Sequence, residues 1–115
     1  WKPTGRHRWY ADRKQTTVWQ FDRPKRSKEH PTMKPVALCA YPIKNSSAPN
    51  GIVLDPFGGS GSTLIACEQL DRICYMVELD EKYSDVIVKR YIETAGEDEV
   101  FLLRDGRKIS YKDTL

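Results

Sequence analysis

Two short apolar runs and the helical patterns that follow them dominate the middle of the chain. The run 51–55 is rich in β-branched residues and ends at a glycine-rich turn, which predicts a buried parallel strand. Apolar residues at helical spacing follow in 62–70, a second apolar run of strand length covers 73–79, and another helical pattern occupies 83–92. This order predicts a βαβα unit, with parallel strands joined by a right-handed crossover.

The segments on either side of this unit carry weaker patterns. Residues 33–47 have the pattern of a helix, and Pro42 inside it predicts a kink or break because proline removes a backbone hydrogen bond. Alternation and β-forming residues in 16–21 predict a strand. Near the end of the chain, the dipeptide Asp105-Gly106 lies between two strand-like runs, which predicts a β-hairpin.

Composition adds limits on the class of protein. With 115 residues and 39% apolar residues, the chain forms at most one domain with a modest core. It has no apolar run long enough to cross a membrane and no apolar signal-peptide core, so we expect a cytoplasmic protein. The spacing of Cys39, Cys67 and Cys74 signals neither a disulfide framework nor a zinc site, and we expect free thiols.

Charge is distributed unevenly along the chain. Residues 1–34 contain ten Lys or Arg and three acids, a net charge of +7, whereas residues 35–115 contain nine bases and thirteen acids, a net charge of −4. Aromatic rings are interleaved with the charges of the first segment, as in surfaces that bind nucleic acids. A solvated basic face with aromatic residues in the core explains the same pattern equally well.

The glycine-rich turn after the first strand is where a βα unit binds nucleotides, because glycines let a ligand approach the backbone closely. A P-loop would need a Lys before the Ser or Thr at the helix start, and Ser62 and Thr63 follow the glycines without one. A dinucleotide motif starting at Gly59 would need a third glycine where Leu64 stands. The first class is excluded, and the second survives only as a departure from its motif.

Two acids bracket this turn. Asp55 ends the first strand, and Glu78 follows 23 residues later at the end of the second. An acid beside the glycines favours a cationic ligand such as S-adenosylmethionine, which carries an ammonium and a sulfonium, and repels phosphates. The second acid can accept hydrogen bonds from ribose hydroxyls. Alternatively, Asp55 caps the following helix and Glu78 is a solvated strand end.

The cofactor loop of the DNA amino-methyltransferases closely resembles segment 55–63, DPFGGSGST. The segment 30–35, HPTMKP, resembles the part of these enzymes that closes over the methionine end of the cofactor, and 77–83, VELDEKY, resembles their acidic strand end and the helix after it. The resemblance covers 30 to about 92. It implies an α/β, Rossmann-like S-adenosylmethionine-dependent methyltransferase fold that needs no metal.

The resemblance also implies roles for individual residues. Lys34 would pair with the cofactor carboxylate or order the loop, and Thr32 would cap a helix that begins at Met33. The implied cofactor-binding residues are His30, Thr32, Lys34, Pro35, Asp55, Phe57, Gly58, Gly59, Ser60, Gly61, Thr63 and Glu78. The basic segment would lie beside DNA, with these candidate phosphate contacts: Arg6, Arg8, Arg13, Lys14, Arg23, Lys25 and Arg26.

The catalytic motif of the resembling subgroup is Asp, Ser or Asn followed by Pro-Pro and an aromatic residue, and this sequence contains no Pro-Pro pair. That motif would hold the flipped base and aim its amino nitrogen at the cofactor methyl group. We therefore expect the chain to be the carboxy-terminal part of a longer enzyme and to be inactive alone. Residues 1–29 would follow the catalytic and target-recognition half, and 30–115 would form the cofactor-binding region.

Other interpretations remain open at this point. A nicotinamide-dependent oxidoreductase domain would also use a βα turn, although Leu64 and Asp55 oppose it. A non-catalytic nucleic-acid-binding module would explain the basic charge of residues 1–34 and the missing catalytic motif. The resemblance implies DNA as partner, no membrane, and, for the whole enzyme, a possible homodimer and a possible restriction-modification partner.

Overall fold

The computed structural model describes residues 9–12, 14, 20 and 35–114. Its helices and strands follow in the order α1 (Val36–Ser46), β1 (Ile52–Asp55), α2 (Ser62–Gln69), β2 (Ile73–Met76), α3 (Glu81–Ala95), β3 (Phe101–Arg104) and β4 (Arg107–Ser110), and a short 3₁₀ turn covers Tyr111–Thr114. The fold is α/β. Of the predicted strand 16–21, only Gln20 lies within the described residues, and it is not in a strand.

The predicted βαβα unit is present. Strands β1 and β2 pair in parallel, with Ile52 opposite Ile73 and Asp55 opposite Met76, and α2 connects them. Strand β2 ends three residues before the predicted end at Leu79. The reason is local: the Glu78 carboxylate accepts a hydrogen bond from the Asp80 backbone N–H at 3.1 Å, which turns the chain into α3.

Helix α1 differs from its prediction at both its start and its middle. It begins at Val36 rather than Met33, because Pro35 in the N-cap position has extended backbone angles, φ −58° and ψ 137°. Among the described residues no side chain caps this end, and the expected cap, Thr32, lies outside them. The helix continues through Pro42 to Ser46, so the predicted break is wrong.

The core lies on one face of the β1–β2 sheet. Ile43 of α1 packs with Ala66 and Cys67 of α2, and Val53 and Cys74 of the strands pack against this cluster. The opposite face is uncovered within the described residues, where Leu54 is 70% exposed and Tyr75 is 59% exposed. The prediction of a buried strand is therefore wrong for β1. It alternates between exposed and half-buried positions because helices cover only one side.

The predicted hairpin is confirmed. Strands β3 and β4 form an antiparallel pair of their own, separate from β1–β2. Asp105 and Gly106 both have positive φ, 52° and 75°, as the tight turn of a two-residue hairpin requires. The whole of β3 is exposed.

The three cysteines are free thiols, as predicted. Burial is the main cause that raises the pKa of the Cys67 thiol, and burial together with the neighbouring Cys67 raises the pKa of Cys74 to about 12. Thiols held this far in the neutral form are poor nucleophiles. In the described part of the chain, no helix combines the length and the apolar character that a membrane span needs.

Candidate cofactor-binding site

The glycine turn folds back against the end of β2. The Gly58 backbone N–H donates to the Val77 carbonyl at 2.9 Å, and the Gly61 N–H donates to the Gly58 carbonyl at 3.0 Å. The Asp55 carboxylate accepts a hydrogen bond from the Phe57 N–H at 3.0 Å. These bonds fix the turn at the carboxyl ends of both parallel strands, the edge at which open α/β sheets bind ligands.

Two of the glycines are required by packing inside the protein as well as by any ligand. A Cβ on Gly58 would lie 2.7 Å from the Met76 sulfur, and a Cβ on Gly61 would lie 3.1 Å from Cγ1 of Ile87. Gly61 also has φ of +84°, a left-handed conformation that other residues rarely adopt. The sequence pattern indicated clearance for a ligand, and the structure adds close packing against β2 and α3.

Both predicted acids lie at this edge and are half-buried. Glu78 accepts hydrogen bonds from the Gly59 N–H at 2.5 Å through Oε2 and from the Asp80 N–H through Oε1. Because an ionised carboxylate has about four acceptor positions, both acids keep capacity for a ligand. The N-cap of α2 is Gly61, with no side-chain cap bond, so the alternative in which Asp55 caps that helix is wrong.

One residue of the site was missed by the sequence interpretation. Arg90 of α3 donates through Nη1 to the Ser60 carbonyl at 2.7 Å, to Ser60 Oγ at 3.1 Å and to Ser62 Oγ at 3.3 Å. Arg90 follows Ile87 by three residues, so both lie on one helix face, toward the glycine turn. That spacing is the available signal in the sequence, and it becomes informative only once Ile87 is known to face the turn.

The other predicted cofactor-binding residues are placed as follows. Phe57 is 86% exposed, Ser60 is buried, and Thr63 is half-buried in the first turn of α2. Pro35 is half-buried at the start of α1, where its carbonyl accepts from the Leu38 N–H at 3.1 Å. Three of the predicted residues lie outside the described residues: His30, Thr32 and Lys34.

Little of the predicted DNA surface is described. Lys14 is exposed, and its backbone N–H donates to the Asp12 carboxylate at 2.8 Å. The remaining candidates lie outside the described residues: Arg6, Arg8, Arg13, Arg23, Lys25 and Arg26. Within the described part of the chain, no group of His, Cys, Asp or Glu side chains could hold a metal ion.

The family model described as DNA methylase (N6_N4_Mtase) matches residues 3–89, more than half of the chain. The chain belongs to this DNA methylase family. Among curated relatives, it is 37% identical over 76 residues to type II methyltransferase M.SmaI of Serratia marcescens, covering 66% of the chain. It is 34% identical over 87 residues to type II methyltransferase M2.MboI of Moraxella bovis, covering 72% of the chain.

Solved methylase structures agree with this assignment. The M1.HpyAVI complex with S-adenosylmethionine matches 71% of this chain and 43% of its own, at 31% identity and a TM-score of 0.58. A DNA modification methylase from Thermus thermophilus, also complexed with S-adenosyl-L-methionine, matches 67% of this chain at 27% identity and a TM-score of 0.52. The 115-residue chain itself spans only 26% of the length of M.SmaI and 32% of the length of M2.MboI.

Proposed function

We propose that this chain forms the S-adenosylmethionine-binding part of a DNA methyltransferase that transfers a methyl group to the exocyclic amino group of adenine or cytosine. The observation that carries the proposal is the pair of half-buried acids, Asp55 and Glu78, on either side of a tightly packed glycine turn. Family membership favours this function over a nicotinamide-dependent domain and over a non-catalytic binding module.

The chemistry of the site suits a cationic adenosyl ligand. Asp55 at the end of β1 would attract the ammonium of the methionine end and would repel a phosphate. Glu78, already held by two backbone N–H groups, would accept the ribose hydroxyls in a fixed orientation. Transfer from a sulfonium needs no further activation of the donor, so the contribution of the site would be alignment and exclusion of water.

The target base would be held by other parts of the enzyme. The sequence has no Pro-Pro pair, so it lacks the base-holding motif that the resemblance implies. The uncovered sheet face, where Ile52 and Ile73 lie beside Leu54 and Tyr75, supports packing of the rest of the enzyme there.

Further features of the whole enzyme follow as parts of the same proposal. Residues 1–29 would form a basic segment against DNA phosphates, and 30–115 would form the cofactor-binding region. Free thiols suit a reducing cytoplasm. A homodimer would cover more of the exposed apolar surface, and a restriction enzyme that reads the same DNA sequence would be the biological partner.

The proposal is tested by calorimetric titration of the chain with S-adenosylmethionine and, separately, with NAD. The same titrations are run on Asp55→Ala, on Glu78→Ala and on Glu93→Gln, an exposed acid of α3 that serves as the control. We expect selective binding of S-adenosylmethionine that is lost in the first two variants and unchanged in the third. Binding of NAD, or equal binding in all four proteins, would overturn the assignment of the site.

A further inference from the structure

The guanidinium of Arg90 holds the turn that precedes α2. One nitrogen, Nη1, donates to the Ser60 carbonyl, to Ser60 Oγ and to Ser62 Oγ at 2.7, 3.1 and 3.3 Å. The Ser60 carbonyl belongs to the peptide that leads into Gly61, whose N–H bonds to Gly58. Arg90 therefore fixes the orientation of one peptide plane inside the glycine turn.

The helix dipole does not favour a cation at this position. The amino terminus of a helix carries partial positive charge, so a cation beside Ser62, the first residue of α2, is electrostatically unfavourable. Within residues 35–114, no carboxylate lies within ion-pair distance of Arg90 to offset this cost. The side chain is half-buried, which removes part of its hydration as well.

Arg72 provides a contrast within the same protein. It also donates three hydrogen bonds, to Ser47 Oγ at 3.0 Å, to the Ser47 carbonyl at 2.9 Å and to the Leu70 carbonyl at 2.6 Å. Leu70 caps the carboxyl terminus of α2, where the helix dipole favours a cation. Each arginine donates three hydrogen bonds, but the helix dipole favours the position of Arg72 and opposes that of Arg90.

We propose that Arg90 is a positioning residue for the cofactor turn, which sets the affinity for S-adenosylmethionine by holding the Ser60–Gly61 peptide in its binding orientation. The inference rests on the proposed function of the turn. Arg90 acts through the backbone and needs no contact with the cofactor. A turn whose conformation is fixed beforehand loses less conformational freedom when a ligand binds, so affinity rises.

The test compares Arg90→Ala, Arg90→Lys and Arg72→Ala in the whole chain by calorimetric titration with S-adenosylmethionine and by urea unfolding. We expect Arg90→Ala to raise Kd about tenfold, as loss of one charge-assisted hydrogen-bond set predicts. Arg90→Lys, which keeps the charge and one donating nitrogen, should recover part of the affinity. Arg72→Ala should lower the urea midpoint at least as much as Arg90→Ala does. It should change the Kd for S-adenosylmethionine less than about twofold.

A second readout is independent of cofactor binding. In the cofactor-free chain, amide NMR signals of Gly59 and Gly61 should shift in Arg90→Ala and stay unchanged in Arg72→Ala. Unchanged glycine signals together with unchanged affinity in Arg90→Ala would overturn the inference and leave the proposed function intact. If the glycine signals shift in Arg90→Ala but the wild-type chain binds no S-adenosylmethionine, the result would support the effect of Arg90 on the turn and reject the proposed function.

Discussion

The two ends of the β1–β2 pair are built differently, although a charged side chain holds the backbone at each. At the amino end, and within residues 35–114, Arg72 donates its hydrogen bonds to protein oxygens of Ser47 and Leu70. At the carboxyl end, Asp55 and Glu78 accept from backbone N–H groups and keep further acceptor positions. The charge at the amino end is used within the fold, whereas the carboxylates at the carboxyl end keep acceptor positions at the edge where ligands bind.

The difference separates residues that stabilise the fold from residues that can bind a ligand. Phe57, in the turn, leaves 86% of its surface exposed, whereas Cys67 in α2 is buried among apolar side chains. An exposed aromatic ring beside carboxylates that have unused acceptor positions is typical of a ligand-binding site. We therefore expect substitutions at the amino end to change stability alone, and substitutions at the carboxyl end to change ligand binding as well.

The largest stability effect is expected for Gly61→Ala at the carboxyl end. The new Cβ would combine a left-handed φ of +84° with contacts of 3.1 to 3.4 Å to Ile87. We expect unfolding free energy to fall by about 2–4 kcal/mol, as measured by urea denaturation, because conformational strain and overpacking add.

Gly106→Ala is the matched control for that change. Gly106 also has positive φ, +75°, but nothing lies within 4 Å of a Cβ built there. The loss should therefore be limited to conformational strain, about 1–2 kcal/mol. Equal losses in the two variants would show that the packing of the cofactor turn against Ile87 contributes nothing to stability.

At the amino end, Arg72→Ala should lower stability by about 1.5 kcal/mol, the lower part of the range for hydrogen bonds from a charged group, because the side chain is partly exposed. Lys44 is exposed in the last turn of α1, close to Ser47. Lys44→Ala should change stability by less than about 0.5 kcal/mol. Urea unfolding of both variants measures the difference. A similar loss in both would mean that the three bonds of Arg72 are replaced by water at no cost.

The contrast between the ends depends on a sheet of which the described residues cover only one face. Two adjacent residues test this. Val53 packs against the core cluster, whereas Leu54 points to the other face and is 70% exposed. Val53→Ala should cost about 1–2 kcal/mol in the chain, and Leu54→Ala less than about 0.5 kcal/mol. If the Leu54 variant costs as much as the Val53 variant, another surface already covers that face in the isolated chain.

The sequence predicted the parts of this fold that local pattern and local chemistry determine. The βαβα order followed from apolar periodicity, and the hairpin followed from Asp105-Gly106, whose residues both adopt positive φ. Asp55 and Glu78 were found as a pair because their spacing matches two consecutive strand ends. Each of these features is encoded in the pattern of single elements or in the spacing of neighbouring ones.

The features that were missed depend on contacts between distant segments. Arg90 lies 30 residues from Ser60, and a single sequence gives no sign that α3 crosses the turn. The exposed face of β1 was predicted to be buried because an apolar run looks the same whether one side or both are covered. Pro42 was predicted to kink or break α1, and the break is wrong because the loss of one hydrogen bond did not outweigh the packing of Ile43 in the core.

The smallest effect concerns pH and the covered face of the sheet. Burial raises the pKa of the Cys74 thiol from its ordinary value of 9.0 to about 12 in the folded chain. Above pH 9 the unfolded chain loses this proton while the folded chain keeps it. The contribution of the thiol to the free energy of unfolding is therefore fully present below pH 9, and it is lost as pH rises from 9 toward 12.

Urea unfolding of the wild-type chain and of Cys74→Ala at pH 7 and pH 10 tests this. Because the side chain is only partly buried, we expect the advantage of the wild type to shrink by a few tenths of a kcal/mol at pH 10. Comparing the same two proteins at each pH cancels the titration of lysines and tyrosines, which both contain. An identical difference at both pH values would mean that water reaches Cys74 through the uncovered side of the sheet, and that α1 and α2 shield it less than their packing implies.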